Sequence, residues 1–389
     1  MQETCQLIVG LNAHLLSLAS TYRSAGIHRY SAQLLHALPG CAPQMHFVAF
    51  LHDRRFTPPA APNLTVEYSR WPTSDPWRRI VGEQCRLPMA ARAAHVQLLH
   101  GLAFVAPLCT SCPTVVTVHD LSFIRFPQAF RPFNRLYLTY FTRRTVCQAA
   151  AVIAVSQYTK DELGRLWRVP AGKVHVVPNG YDPRFCPGDP AEVEAFRQRA
   201  GLPARYLFFL GTLEPRKNLL NLVRAYGRSG AQRQGVSLII AGGKGWYYEA
   251  LFQEVIALGL QDNVYFTGYL PDDDIVWWYR GAEAFVYPSL YEGFGLPVLE
   301  AMACGTPVIT SRCSALPEVA GDAALLVEPT DVDALAGAIA HLVSDPVRQQ
   351  DLRMLGLQRA ALFSWQRTAR ETVVVYEKIQ RGREPSDNP

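Results

Sequence analysis

No uninterrupted apolar run in the 389 residues is long enough to span a bilayer, so a membrane-crossing helix is not expected. The opening segment, MQETCQLIVG, carries an acid and no base. A secretory signal peptide is therefore not expected either, and the chain reads as cytoplasmic. Metal-binding spacing is also missing. Nine cysteines are scattered along the chain, and their one close pair, Cys109 and Cys112, has no second pair or histidine cluster to complete a site, so ordinary reduced thiols are expected. Gly242-Gly243-Lys244-Gly245 lacks the GxxxxGK[ST] spacing of a Walker loop. No RRM, KH or helix-turn-helix pattern is present, which leaves nucleic-acid binding without a module. Charged residues are sparse at 18% against 49% hydrophobic, so a large core is affordable and disorder is confined to the tail.

What charge there is lies unevenly. Residues 1–185 hold 19 Lys+Arg against 9 Asp+Glu, a balance of +10; the remainder, 19 against 24, comes to −5. Nine of the ten histidines also lie in the first part. A basic half points to an anionic ligand or an anionic surface.

Short, continuously apolar, β-branched runs recur in both halves. Gln6–Gly10, His46–Phe50, Thr114–Val118, Ala151–Val155 and Val174–Val177 read as strands of the first half. Tyr206–Leu210, Val236–Ala241, Val264–Phe266, Ala284–Tyr287 and Val308–Thr310 read as strands of the second. Such runs suit parallel strands covered on both faces. Between the first two strands, Ser24–Tyr30 reads as a loop containing Gly26 and His28, followed by a helix from Ser31 to Leu38 that Pro39-Gly40 stops. The linker falls in DPRFCPGDP, Asp182–Pro190. The expected architecture is α/β: two doubly wound, Rossmann-like domains facing each other across a cleft. Their expected bounds are 1–185 for the first and 186–365 for the second. A helix at 366–380 and a disordered tail at 381–389 complete the chain.

Ligands in such sheets sit beyond the carboxyl ends of the strands, and the chemistry-bearing motifs cluster there. SLYEGFGLPVLEAMACGTPV, Ser289–Val308, holds Glu292 and Glu300 with seven residues between them. Pro297 suits the first position of a short helix that Gly305 ends. The loop before it, Gly293-Phe294-Gly295-Leu296, then presents free backbone N–H groups at a helix N-terminus, an anion site. Glu300, expected in the first helical turn, suits the vicinal hydroxyls of a ribose, and Glu292 the hydroxyls of a second sugar. Ribose, diphosphate and sugar together make a nucleotide-sugar. After the first strand of the second half, Glu214-Pro215-Arg216-Lys217 supplies a guanidinium fork and an ammonium, suited to a pyrophosphate and to its charge on departure.

With these residues the sequence resembles the retaining glycosyltransferases of family 4, which have the GT-B fold. The two acids match at Glu292 and Glu300, and the basic pair matches at Arg216 and Lys217. Leu316–Pro329 (LPEVAGDAALLVEP) and Phe363–Ala369 (FSWQRTA) are similar as well. The likeness runs from about Leu7 to Ile379, closest in style to bacterial mannosyltransferases that use GDP-mannose. It implies transfer of a sugar, mannose from GDP-mannose first, to a glycan or lipid-linked acceptor in cell-surface polysaccharide or lipopolysaccharide synthesis. A UDP-sugar such as UDP-glucose as donor, or a sugar-nucleotide epimerase of the same fold, are the alternatives. It implies that Gly26 faces the donor phosphates, that His119 lies near the transferred sugar, and that the last helix crosses back to the first domain. His28 stands where many relatives have glycine, which stiffens that loop. Domain closure would complete the site, and base contacts are expected near Gly268-Tyr269-Leu270. No cofactor and no metal are needed: Asp272-Asp273-Asp274 contains DxD but reads as a helix N-terminus. Arg131–Arg144 (RPFNRLYLTYFTRR) mixes arginines with aromatic residues, as a peripheral membrane segment would on the inner face of the membrane.

Overall fold

The computed structural model describes residues 6–14, 16, 25–69, 71, 76–243 and 248–382. The chain divides into two compact units, one of Met1–Gly180 with Ser364–Pro389, the other of Tyr181–Phe363. The divisions follow Gly180 and Phe363, a few residues ahead of 185 and 365. Of the tail expected at 381–389, Arg381 ends a helix and Gly382 follows it, and 383–389 lie outside the described residues.

The first unit holds a seven-stranded sheet. Its strands are β1 (Leu7–Asn12), β2 (Met45–Leu51), β3 (Leu64–Tyr68), β4 (Leu98–Gly101), β5 (Thr114–Val118), β6 (Ala151–Ala154) and β7 (Val174–Val176), in the order β3-β2-β1-β4-β5-β6-β7. The second unit holds a six-stranded sheet: β8 (Arg205–Leu210), β9 (Val236–Ala241), β10 (Val264–Gly268), β11 (Ala284–Tyr287), β12 (Val308–Ser311) and β13 (Leu325–Val327), ordered β10-β9-β8-β11-β12-β13. All pairings in both sheets are parallel. The central strands are buried throughout, as in VSLIIA of β9 and AFVY of β11, because helices cover both faces.

In each sheet the chain builds outward through three strands and then returns to the other side of the first. The reversal points lie between β1 and β4 and between β8 and β11. There, consecutive loops leave in opposite directions and open a crevice at the carboxyl ends of the strands. In the second unit the two loops flanking that crevice are those after β8 and after β11. They carry Glu214, Arg216 and Lys217 on one side, and Ser289 and Glu292 on the other.

Two local readings are corrected. The segment expected as a loop at Ser24–Tyr30 is helical from Ala25, and the helix runs through Pro39 to Cys41. Pro39 has no N–H for the carbonyl four residues back, so one ladder bond is missing there, and the helix ends two residues later at Cys41. Asn63 then donates its side-chain amide to the carbonyls of Pro39 and Met45, each at 3.1 Å, and finishes that end. Three strands carried no sequence reading. Edge strand β3 alternates, β4 contains His100, and β13 has three residues.

The final helix, Trp365–Arg381, belongs to the first unit and packs on the Ala25–Cys41 helix. A buried polar chain joins them to the sheet. Tyr376 Oη lies 2.6 Å from His100 Nδ1, His100 Nε2 lies 2.8 Å from Thr117 Oγ1, and Thr117 Oγ1 lies 3.0 Å from Tyr30 Oη. Burial, with a contribution from His119, holds the His100 imidazole neutral by lowering it to about 3.

In the second unit the ends of β8 and β9 approach so closely that only glycine fits. Gly242 has φ +142°, and a Cβ there would stand 1.9 Å from the carbonyl oxygen of Gly211. Gly242→Ala should therefore destabilise the protein by about 2–4 kcal/mol. Thermal or urea unfolding checks this; an unchanged midpoint would refute it.

Candidate active site

The crevice of the second unit is built around one carboxylate. Glu292 is 8% exposed. Its Oε1 accepts from Lys217 Nζ at 2.6 Å, from Ser289 Oγ at 2.6 Å and from Tyr287 Oη at 3.0 Å. Its Oε2 accepts from Arg216 Nη1 at 3.0 Å. Lys217 also donates to Tyr287 Oη. Arg216 makes further bonds to the Tyr291 carbonyl, at 2.7 Å, and to Glu214. Burial alone would raise the Glu292 carboxyl. The charges of Arg216 and Lys217, with hydrogen bonds from Lys217 and Ser289, outweigh it and hold the group down at about 2. Burial and the neighbouring Arg216 pull the Lys217 ammonium below its usual range. Burial and the Glu292 charge push the Tyr287 hydroxyl well up. Glu292 is thus an anion at any physiological pH, and Tyr287 a neutral donor.

Each partner is aimed by local structure. Arg216 and Lys217 occupy a 3-10 turn, Pro215–Lys217, that ends with Asn218 in the left-handed region at φ +61°. Asn218 is fixed by donating Nδ2 to the Pro329 carbonyl at 2.6 Å. On the other side, Ser314 also has positive φ, +56°. Its Oγ accepts from Glu292 N–H at 3.0 Å, and the next N–H, of Ala315, bonds the Glu292 carbonyl at 3.3 Å. Two non-glycine residues in a costly conformation beside one cluster mark a held geometry.

The glycine-rich loop runs on from Glu292 into the helix Leu296–Ala303, with Gly295 at the N-cap and Pro297 in the first turn. Gly295 has φ +117°, which an L side chain rarely adopts. Glycine therefore fixes how the loop enters the helix, and the N–H groups of Gly295 and Leu296 fall at its N-terminus. Gly293 is buried and Leu296 half-buried. Phe294 is buried edge-on against Phe363 at 5.9 Å between ring centroids, so only its backbone is available to a ligand. Glu300 was expected in the first turn. It is the fifth helical residue, because the helix starts at Leu296. It is 1% exposed, and Tyr279 Oη donates to its Oε2 at 3.3 Å.

The other named positions lie elsewhere. Gly26 is exposed in the first turn of the Ala25–Cys41 helix. His119 follows β5 in the first unit, with the Tyr30 ring edge-on at 4.7 Å and Phe104 at 5.6 Å. Its Nε2 lies 2.9 Å from the Leu102 carbonyl, which can only accept. The proton therefore sits on Nε2, and Nδ1 is the ring's acceptor. Burial lowers the His119 pKa, so the ring is neutral. Tyr269 is 56% exposed beyond β10, and Leu270 is buried. Asp274 takes the N-cap position of the helix Ile275–Gly281 but makes no side-chain cap bond. Asp272 and Asp273 instead pair with Arg184, at 3.0 and 3.3 Å. Among the described residues no group of three or more His, Cys, Asp or Glu could hold a metal. Lys244 and Gly245 lie outside the described residues.

Sequence reasoning missed Tyr287, Ser289, Glu214 and Ser314. The first three stand within a few residues of Glu292 or Arg216, so proximity was a usable signal. Ser314 lies 22 residues beyond Glu292 and is brought back by β12.

Two parallel-sheet α/β units, one with a buried ion cluster and a glycine-opened helix N-terminus at its reversal point, match the fold of the GT-B glycosyltransferases. The chain matches the family models "Glycosyltransferase Family 4" over residues 24–185 and "Glycosyl transferases group 1" over residues 192–356. It is 35% identical to the O-antigen chain mannosyltransferase B of Escherichia coli over 268 residues, 68% of this chain and 70% of that one. It is 29% identical to the serotype-specific mannosyltransferase WbdA of Escherichia coli over 70% of this chain, which spans only 34% of WbdA. Sucrose-phosphate synthase of Thermosynechococcus elongatus shares the fold, with TM-score 0.75 and 23% identity over 97% of this chain and 100% of that one. The chain belongs to glycosyltransferase family 4.

The sign of the pH dependence follows from Glu292. Its carboxyl is lowered from an ordinary 4.5 to about 2, so its stabilisation is complete above 4.5 and lost as pH falls toward 2. The effect is roughly 3 kcal/mol for a group this buried. Glu292→Gln should lower the unfolding free energy at pH 7, and the gap to wild type should close between pH 4.5 and 2. A gap independent of pH, read by denaturant titration, would contradict the ion pairing.

Proposed function

We propose that the protein transfers a hexose, mannose from GDP-mannose first, to a glycan or lipid-linked acceptor with retention of anomeric configuration. The observation that carries this reading is the Glu292–Arg216–Lys217 cluster beside the helix N-terminus at Gly295. Two cations close to a helix N-terminus are suited to a diphosphate, and the carboxylate beside them to sugar hydroxyls. The mannose assignment is supported by the names of the mannosyltransferase relatives.

In this reading Arg216, Lys217 and the N–H groups of Gly295 and Leu296 stabilise the leaving diphosphate. The bond between anomeric carbon and phosphate oxygen breaks. The acceptor hydroxyl attacks from the same face, and a departing phosphate oxygen takes its proton. Gly293 gives the loop close approach, and Gly26 of the first unit is assigned to the phosphates. Glu292 orients the sugar through Oε2, since Oε1 already accepts three hydrogen bonds. Glu300 is assigned to the ribose, and Phe294 serves through its backbone. His119, neutral with Nδ1 as acceptor, takes a hydroxyl of the sugar rather than countering positive charge. No chemical step here calls for a metal.

Thermal shift with GDP, UDP, GDP-mannose and UDP-glucose tests the donor, because a ligand of the folded state raises the melting temperature with its concentration. A response to GDP and GDP-mannose is expected. A response to UDP ligands alone would keep the mechanism and overturn the sugar. Glu292→Gln should lower donor turnover about a hundredfold or more; near-normal turnover would remove its assigned role. Turnover of donor without acceptor into an isomeric nucleotide-sugar would favour an epimerase.

The acceptor reading rests on the first unit. The helix Pro132–Gln148 buries Tyr137, Thr142, Thr145 and Val146 and exposes Leu136 and Tyr140. Arg131, Arg135, Arg143 and Arg144 are exposed with them, and no acid occurs from 131 to 148. No helix among the described residues is long and apolar enough to cross a membrane. Arginines around exposed apolar side chains suit an anionic membrane surface, where a lipid-linked acceptor would be found. Binding to anionic vesicles at low ionic strength, lost on adding salt, is the expected result of a sedimentation assay. No binding at low salt would overturn it.

A further inference from the structure

Glu214 has no part in the reaction as described, yet it accepts two hydrogen bonds from Arg216. Arg216 Nε and Nη2 both donate to it, at 3.0 and 2.7 Å, and both bonds fall on the one oxygen, Oε1. The two side chains are only 16% and 17% exposed. The Arg216 Nη1 end is already held by the Tyr291 carbonyl and by Glu292. The cluster thus sets two cations, Arg216 and Lys217, against two carboxylates, Glu214 and Glu292. Aiming a guanidinium does not require a charge, since a neutral carbonyl oxygen accepts the same two N–H bonds. A carboxylate beside a diphosphate site has a second effect, because it repels the diphosphate.

We infer that Glu214 is a positioning residue that also weakens the hold of the site on nucleoside diphosphate: it aims the Arg216 fork while cancelling part of its charge, so the leaving group is stabilised as it departs and then released. The inference rests on the assignment of Arg216 and Lys217 to the diphosphate.

Calorimetric titration of GDP, UDP and their monophosphates into wild type, Glu214→Gln, Glu214→Asp and Arg216→Ala tests it. Glutamine keeps an oxygen for both Arg216 bonds and removes the charge. It should lower Kd for the diphosphate that binds about five- to tenfold, and lower the product-inhibition constant in parallel. The monophosphate, lacking the β-phosphate, should change less. Aspartate retains the charge and should not tighten binding, whereas Arg216→Ala should weaken it. A Glu214→Gln protein of wild-type melting temperature that binds the diphosphate equally or more weakly would overturn the inference, leaving Glu214 an orienting group. Tightening by Glu214→Asp would also overturn it. If Arg216→Ala leaves diphosphate affinity unchanged, the fault lies in the diphosphate assignment and the inference falls with it.

Discussion

A carboxylate cannot be buried without compensation, and in this protein the compensation for Glu292 dictates much of the second unit. The idealised cost of removing such an ion from water is far larger than one hydrogen bond returns. Two cations and two hydroxyl donors must therefore converge on it. They come from the loop after β8, the loop after β11 and the end of β11 itself. Only a sheet in which β8 and β11 are neighbours, reached by reversing the direction of winding, places those loops side by side. The parallel order, the glycines at the strand ends and the left-handed turns at Asn218 and Ser314 all serve that convergence.

A buried ion pair is weak evidence for stability, since an apolar replacement often holds a fold as well. Its place beside a helix N-terminus is better explained by use. Hydrogen bonds within the cluster hold Arg216 and Lys217 in place, so little side-chain entropy need be lost when an anion arrives. The first unit applies a neutral version of the same logic. There the buried chain Tyr376–His100–Thr117–Tyr30 contains no charge. It joins the final helix to the sheet and brings the Tyr30 ring against His119. The His119 tautomer is set separately, by the Leu102 carbonyl.

How much of this was legible depended on whether a residue's role was local. Strands such as Val236–Ala241 and Thr114–Val118 stood out because burial on both faces demands continuous apolar, branched side chains. Strand β4 did not, because His100 breaks its apolar run for a partner, Tyr376, that lies 276 residues away. The helix start at Ala25 was hidden by Gly26, and its end by Pro39, whose turn is completed by Asn63 from another segment. At the site, Glu292, Arg216 and Lys217 could be named from residue type and motif. That Glu292 would hold both cations at once could not, because the contacts span 75 and 76 residues and exist only through the sheet. Glu300 sits one place deeper in its helix than a start at Pro297 implies, because Leu296 precedes the proline.

The same distinction explains why the charge of the site resisted a reading from sequence. Arg216-Lys217 on a strand-end loop looks like a strongly positive anion trap. In the fold, Glu214 closes back on Arg216 from two residues away, and Glu292 reaches both cations across the crevice. The site that results is ordered but not strongly positive. That suits a transferase better than a trap would. Binding energy that holds donor and product diphosphate equally does not speed the chemical step, and it slows release. On the proposed assignment, cations offset by carboxylates still meet the charge that develops on the leaving oxygen, because their donors are aimed in advance, while the resting attraction for an anion stays modest. Order without excess charge is the property that the two carboxylates give this crevice.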